Sequence, residues 1–181
     1  MIENGEIVLY DLDMARKGLA FQFEVNPNSC GNHEHYEEYI RYNAISDRNC
    51  GLGVTYVFLQ STDDSEKILG YITLRAASYI VESEGVTYGH PALEIFELAV
   101  DKTAERQGIG TNLVNFALKT ASDLRETFLG IEYIILCADK QAVPFYEKAE
   151  FGRMDEQGKI PREQWNVNCI PMLLRLPEDM D

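Results

Sequence analysis

Gly108, Ile109 and Gly110 follow Arg106 closely, at the point where an extended apolar run hands over to a helical pattern. Ile95, Phe96, Leu98, Ala99 and Val100 form a nearly continuous apolar stretch, as a strand covered on both faces requires. Beyond Gly110, Leu113, Phe116, Ala117 and Leu124 recur with a period near 3.6, which predicts an amphipathic helix. The first turn of a helix carries backbone N–H groups with no intrahelical acceptor and the positive end of the macrodipole. Glycine lets an anion reach those amides without meeting a Cβ, and Arg106 adds a cation. The pyrophosphate of a nucleotide-containing cofactor fits this arrangement, although a GxG alone also serves as a plain tight turn.

A second motif follows about 35 residues later: Ala142-Val143-Pro144-Phe145-Tyr146-Glu147-Lys148-Ala149-Glu150-Phe151. Together with LAVDKTAERQGIGTNLV it resembles the GNAT N-acetyltransferases, whose cofactor motif is Arg or Gln, two residues, Gly, one residue, then Gly or Ala, and whose later helix reads A-x-x-F/L-Y-E-K-x-G-F. Three positions depart from the pattern. Glu105 stands where Arg or Gln is expected, Asp139 where Asn is frequent, and Glu150 where Gly is usual. The departure at Glu105 leaves Arg106 to supply the charge from the next position.

The resemblance implies an α/β fold with a mixed central sheet flanked by helices, and acetyl-CoA as co-substrate with no metal. It implies that the backbone of Leu98, Ala99 and Val100 lies along the pantetheine arm. Arg106, Gln107, Gly108, Ile109, Gly110 and Thr111 then surround the pyrophosphate. Tyr146 matches the tyrosine that hydrogen-bonds the cofactor sulfur, and a phenol with a pKa near 10 can donate to a departing thiolate. Glu94 falls where some members, histone acetyltransferases among them, keep a base glutamate. Glu97 lies three residues on, so a regular strand points the two to opposite faces. Glu94, Glu97 and a water relay all remain open as the base.

The elements that must position these groups are legible in outline. Glu6 to Leu12 reads as a first strand. Asn32 reads as an N-cap opening a helix through Tyr36, Tyr39, Ile40 and Ala44 that stops before Gly51. His33 and His35, two apart, read as polar residues of the helix start rather than ligands. Tyr36, Tyr39 and Tyr42 either line the acceptor side, as the family implies, or belong to the core. Val54 to Leu59 and Ile68 to Leu74 predict an antiparallel hairpin across the polar turn Ser61 to Glu66. The stretch from Ser78 to Pro91 leads into the cofactor strand without a clear pattern of its own. Ile131 to Cys137 predicts a further strand, and Gln164 to Leu176 a last strand pair with Pro171 at a start or a bulge.

One domain over residues 1–181, with a flexible tail at 177–181, is the expectation for 181 residues of ordinary globular composition. No stretch approaches the roughly 18 apolar residues of a membrane helix, and the first residues lack a secretory pattern, so a cytoplasmic location is expected. Cys30, Cys50, Cys137 and Cys169 are irregularly spaced, without CxxC, which predicts free thiols rather than a zinc site or disulfide framework. Sixteen basic against 30 acidic residues give a net charge of −14. Such a field disfavours nucleic acid and suits a cationic amine, on a small molecule or a protein.

Ser29-Cys30-Gly31-Asn32, Gly53-Val54-Thr55-Tyr56-Val57, Gly70-Tyr71-Ile72-Thr73-Leu74 and Leu98-Ala99-Val100-Asp101 are similar to the layout of bacterial toxin-type acetyltransferases. That subgroup implies charged tRNA as acceptor, which the acidity does not exclude, and a small antitoxin partner. A homodimer is common in the wider family. The motif departures also fit a non-catalytic acyl-CoA sensor.

Overall fold

The structure, a computed structural model, describes residues 5–154 and 169–177. The chain forms two compact units, Met1–Arg75 with Phe96–Phe116, and Ala76–Ile95 with Ala117–Asp181. The elements in order are β1 (Gly5–Leu9), α1 (Leu12–Arg16), a 3-10 turn (Leu19–Gln22), α2 (His33–Glu38), a π-helical turn (Tyr39–Asn43) and α3 (Ala44–Asn49). They continue through β2 (Val54–Ser61), β3 (Glu66–Ser83), β4 (Val86–Val100), α4 (Ile109–Thr127), β5 (Tyr133–Asp139), α5 (Val143–Lys148), β6 (Gly152–Arg153) and β7 (Cys169–Arg175). The strands join in one sheet in the order β1-β2-β3-β4-β5-β7-β6, with β4 and β5 parallel and the other recorded pairs antiparallel.

In the first unit the expected hairpin is present, with Val54 opposite Leu74 and a register shift between Phe58 and Leu59. The first strand is shorter than its apolar content suggests. It ends at Leu9, because Asp11 caps α1 by accepting a bond from the Met14 N–H. Asn32 precedes α2 as expected, though its side chain makes no capping bond. The helical run ends before Gly51, as its sequence indicates. Apolar side chains from β1–β3 and these helices, including Tyr10, Phe23, Tyr39, Ile40, Val57, Ile68 and Tyr71, form one buried cluster. Of the tyrosine stripe, Tyr39 is buried, Tyr36 half-buried and Tyr42 exposed, so the stripe is divided between core and surface. Gly70 faces the start of α4: a Cβ there would lie 2.8 Å from Ile109 and 3.1 Å from the Ala99 carbonyl oxygen. Glycine at this point lets α4 begin tightly against the strands.

The stretch from Ser78 to Pro91, without pattern in the sequence, is the far half of a long hairpin. Its turn is Glu84-Gly85, both at positive φ (54° and 77°), the conformation a two-residue connection prefers. In the second unit Ala92–Ile95 of β4 run parallel to Tyr133–Leu136 of β5, and β7 lies antiparallel on the other side of β5. Pro171 is neither at a strand start nor at a bulge. It is the third residue of β7, in continuous register opposite Cys137. Its carbonyl accepts from the Met154 N–H, just past the two-residue β6, so the missing proline N–H faces the side where the ladder is shortest. Trp165 and Val167 of the expected strand pair lie outside the described residues.

The expectation of four free thiols is corrected. Cys137 and Cys169 form a disulfide, while Cys30 and Cys50 are thiols. The two are 32 residues apart in sequence, and only the β5–β7 register, with Asp139 opposite Cys169, makes them diagonal neighbours. The carbonyl of Pro177, the first residue of the expected tail, accepts a bond from Arg125 at 2.6 Å. The rest of that tail lies outside the described residues.

Candidate active site

The glycine bend sits where the sequence puts it, between β4 and α4. Arg106 and Gly108 both adopt left-handed backbone (φ 59° and 86°), separated by Gln107. Alternation of this kind turns successive N–H groups toward one concavity, which binds anions. α4 begins at Ile109, and the bond from Asn112 N–H to the Gly108 carbonyl, 2.9 Å, is the one that opens the helix. The amides of Ile109, Gly110 and Thr111 precede it, in the first turn, where the helix offers no acceptor. Gly110 lies inside the helix rather than before it.

Asp101 anchors this loop. Its buried carboxylate accepts from Lys67 Nζ (3.0 Å), from the Thr103 N–H and hydroxyl, and from the Glu24 N–H (3.2 Å). Burial alone would raise its pKa. The bonds from Thr103, Lys67 and Glu24 outweigh that and hold it below the ordinary value. Glu105, at the position where the family pattern expects Arg or Gln, accepts from the Asn26 side chain at 3.1 Å, and Gln107 bonds back to the Thr103 carbonyl. Glu105 therefore acts as a tie between loops, and Arg106 is the cation at the bend.

Along β4, Leu98 and Val100 are half-buried and Ala99 is buried. Glu94 is half-buried and its backbone is in register with Ile135 of β5. Glu97 falls in the buried half of the alternation, with a side chain 6% exposed. It meets His35 of α2, whose Nε2 is 2.8 Å from Glu97 Oε1. Burial pushes the Glu97 carboxyl up, the His35 bond and the charges of His35 and Arg75 pull it partly back, and the net position is raised. Beside it, the Arg75 guanidinium stacks 3.8 Å over the Phe96 ring, and Phe96 meets Tyr39 edge-on at 5.8 Å. Burial raises the Tyr39 phenol to about 12. The histidine partner was not legible in the sequence, because 62 residues separate the pair and no local spacing marks it.

In the second unit Tyr146 is buried on α5, held by edge-on contacts with Phe145 (4.9 Å) and Phe151 (5.8 Å). Asp139, where Asn is frequent, accepts from the Gln141 N–H at 3.0 Å, a turn role that either side-chain oxygen fills. Glu150 has φ 68°, just past the end of α5. That explains why glycine is usual there, since this conformation strains any residue with a Cβ. Among the described residues, no three His, Cys, Asp or Glu side chains converge to hold a metal ion, and no helix is long and apolar enough to cross a membrane.

Solved structures share this fold. A tyrosine-to-phenylalanine mutant of the AtaT toxin bound to the C-terminus of the antitoxin AtaR and acetyl-CoA matches with TM-score 0.68 at 20% identity, over 96% of this chain and 94% of that one. AtaT complexed with acetyl-methionyl-tRNAfMet matches with TM-score 0.69 at 18% identity, over 95% of each chain. A tyrosine-to-phenylalanine mutant of KacT matches with TM-score 0.70 at 15% identity, over 96% and 95%. No curated protein sequence matches. Residues 15–151, which contain the left-handed bend, β4 and the Tyr146 helix, match the sequence profile described as the acetyltransferase (GNAT) family, and the chain belongs to that family of N-acetyltransferases.

Proposed function

We propose that the chain transfers the acetyl group of acetyl-CoA to a primary amine of a small molecule or protein. The observation that carries this reading is the left-handed pair Arg106 and Gly108 feeding directly into the first turn of α4. A diphosphate held there has its charge met by main-chain amides and the helix terminus, without a metal. The pantetheine arm then runs along the backbone of Leu98, Ala99 and Val100, where an N–H polarises the acetyl carbonyl. Tyr146 donates a proton to the departing thiolate, which a phenol does without being ionised beforehand. On the family resemblance, Glu94, Glu97 or a water relay takes the proton that the amine must lose.

A second reading, acetylation of an aminoacyl-tRNA, is supported by the likeness over nearly the whole chain to AtaT in complex with acetyl-methionyl-tRNAfMet. On that reading an antitoxin partner is also expected. The net charge of −14 opposes it. The test is CoA release from acetyl-CoA across a panel of primary amines, with polyamines, a lysine peptide and methionyl-tRNA included. Release with a free or protein amine supports the main reading, and release with methionyl-tRNA alone replaces it with the second. Binding of acetyl-CoA without release from any acceptor contradicts both and leaves an acyl-CoA sensor.

A further inference from the structure

Glu97 and His35 have the arrangement of a carboxylate that orients a catalytic imidazole. One partner is buried and the other, with a side chain 48% exposed, reaches solvent. His35 Nε2 lies 2.8 Å from Glu97 Oε1, and an ionised Glu97 would hold the Nε2–H there and leave the lone pair on Nδ1. Glu97 is also the residue directly before Leu98, so the pair lies within about 3.4 Å of strand rise of the backbone assigned to the acetyl group. Glu97 interacts electrostatically with Asp47 of α3 and with Arg75 and Tyr71 of β3, and Tyr71 in turn with Tyr36 of α2, Tyr39 of the π-helical turn and Cys30. The Tyr71 hydroxyl donates to the Tyr36 carbonyl at 2.9 Å and Tyr39 donates to Asp47 at 3.0 Å, so both phenols keep their protons within the protein.

We propose that His35, oriented by Glu97, is the base that takes the proton from the acceptor ammonium. This rests on the transfer reading above. In the step, Nδ1 of neutral His35 removes one proton from R–NH3+, and the freed nitrogen pair attacks the thioester carbon. The C–N bond forms and the C–S bond breaks. The second N–H proton leaves the nitrogen as the thiolate takes one from Tyr146, whose phenolate it restores. The imidazolium returns its proton to solvent, to which His35 is open. Glu97 touches no reacting atom and is a positioning residue.

The need for such a base depends on the acceptor. An alkyl amine with a pKa near 10.4 is about 0.04% neutral at pH 7, whereas an α-amine near 7.8 is about 14% neutral. The test measures kcat/KM against pH for CoA release with spermidine and with methionyl-tRNA, in the wild type, His35→Asn and Glu97→Gln. Thermal melting and acetyl-CoA titration verify that each variant folds and holds the donor. The expected result is a loss on the order of 10²-fold or more with spermidine for His35→Asn, with the acidic limb of the profile moved, and a smaller loss with methionyl-tRNA. Glu97→Gln should move the same limb, since an amide no longer stabilises the imidazolium. A folded, donor-binding His35→Asn with wild-type rates and profile overturns the base assignment and leaves acetyl transfer standing. Absence of CoA release by the wild type across the whole amine panel overturns the transfer reading and the base with it.

Discussion

Tyr146 is held by two aromatic contacts on a short helix, so removing only its hydroxyl should leave the packing intact. Tyr146→Phe is expected to lower kcat by about 10²-fold or more with acetyl-CoA affinity unchanged, measured by CoA release beside a binding titration. Full activity in that variant would refute the proton-donor role. Glu150 gives an independent prediction. Glycine relieves the left-handed strain at φ 68°, so Glu150→Gly should stabilise the fold by about 1 kcal/mol in chemical denaturation. The residues that sequence alone singled out are those whose meaning is local: a GxG before a helix, and a tyrosine inside FYEK. His35 and the Cys137–Cys169 pair escaped because their partners lie 62 and 32 residues away and meet only through strand register and helix packing. Reading His35 as a helix-start residue was right about its place and silent about its partner.

At the scale of elements, the bend at Arg106–Gly108 depends on two supports, Asp101 and Gly70. Asp101→Asn removes the charge that Lys67, Thr103 and Glu24 all satisfy, and should cost about 2 kcal/mol. Because the folded state lowers this carboxyl, its contribution is fully present above its ordinary 3.8 and is lost as pH falls toward the depressed value. Urea denaturation as a function of pH should therefore show a shallower acid loss in Asp101→Asn than in the wild type. Gly70→Ala places a Cβ 3.1 Å from the Ala99 carbonyl oxygen and against Ile109, and is expected to destabilise by about 1–3 kcal/mol and weaken acetyl-CoA binding together. The helical run after Asn32, the β2–β3 hairpin and the strand-bend-helix unit were readable from periodicity and turn residues. The far half of the β3–β4 hairpin was not. Val86 to Pro91 is largely exposed and mixes Thr, Tyr, Gly and His, so no buried face imposes the alternation that marks a strand.

For the whole molecule, the net charge of −14 predicts how acceptors arrive. A polycationic amine should lose kcat/KM as salt is raised, because its attraction to the acidic surface is screened, while a primary amine with a single charge should respond far less. A flat response for both would indicate that the long-range field has no part in acceptor choice. All of this presupposes that the bend at Arg106–Thr111 holds a diphosphate. The most direct measurement is calorimetric titration of the purified protein with acetyl-CoA and with dephosphorylated pantetheine, repeated with Gly108→Val. The account predicts saturable one-to-one binding of acetyl-CoA, much weaker binding of pantetheine, and loss of acetyl-CoA binding in the folded variant. Absence of heat with acetyl-CoA, or equal affinity for pantetheine, would contradict it.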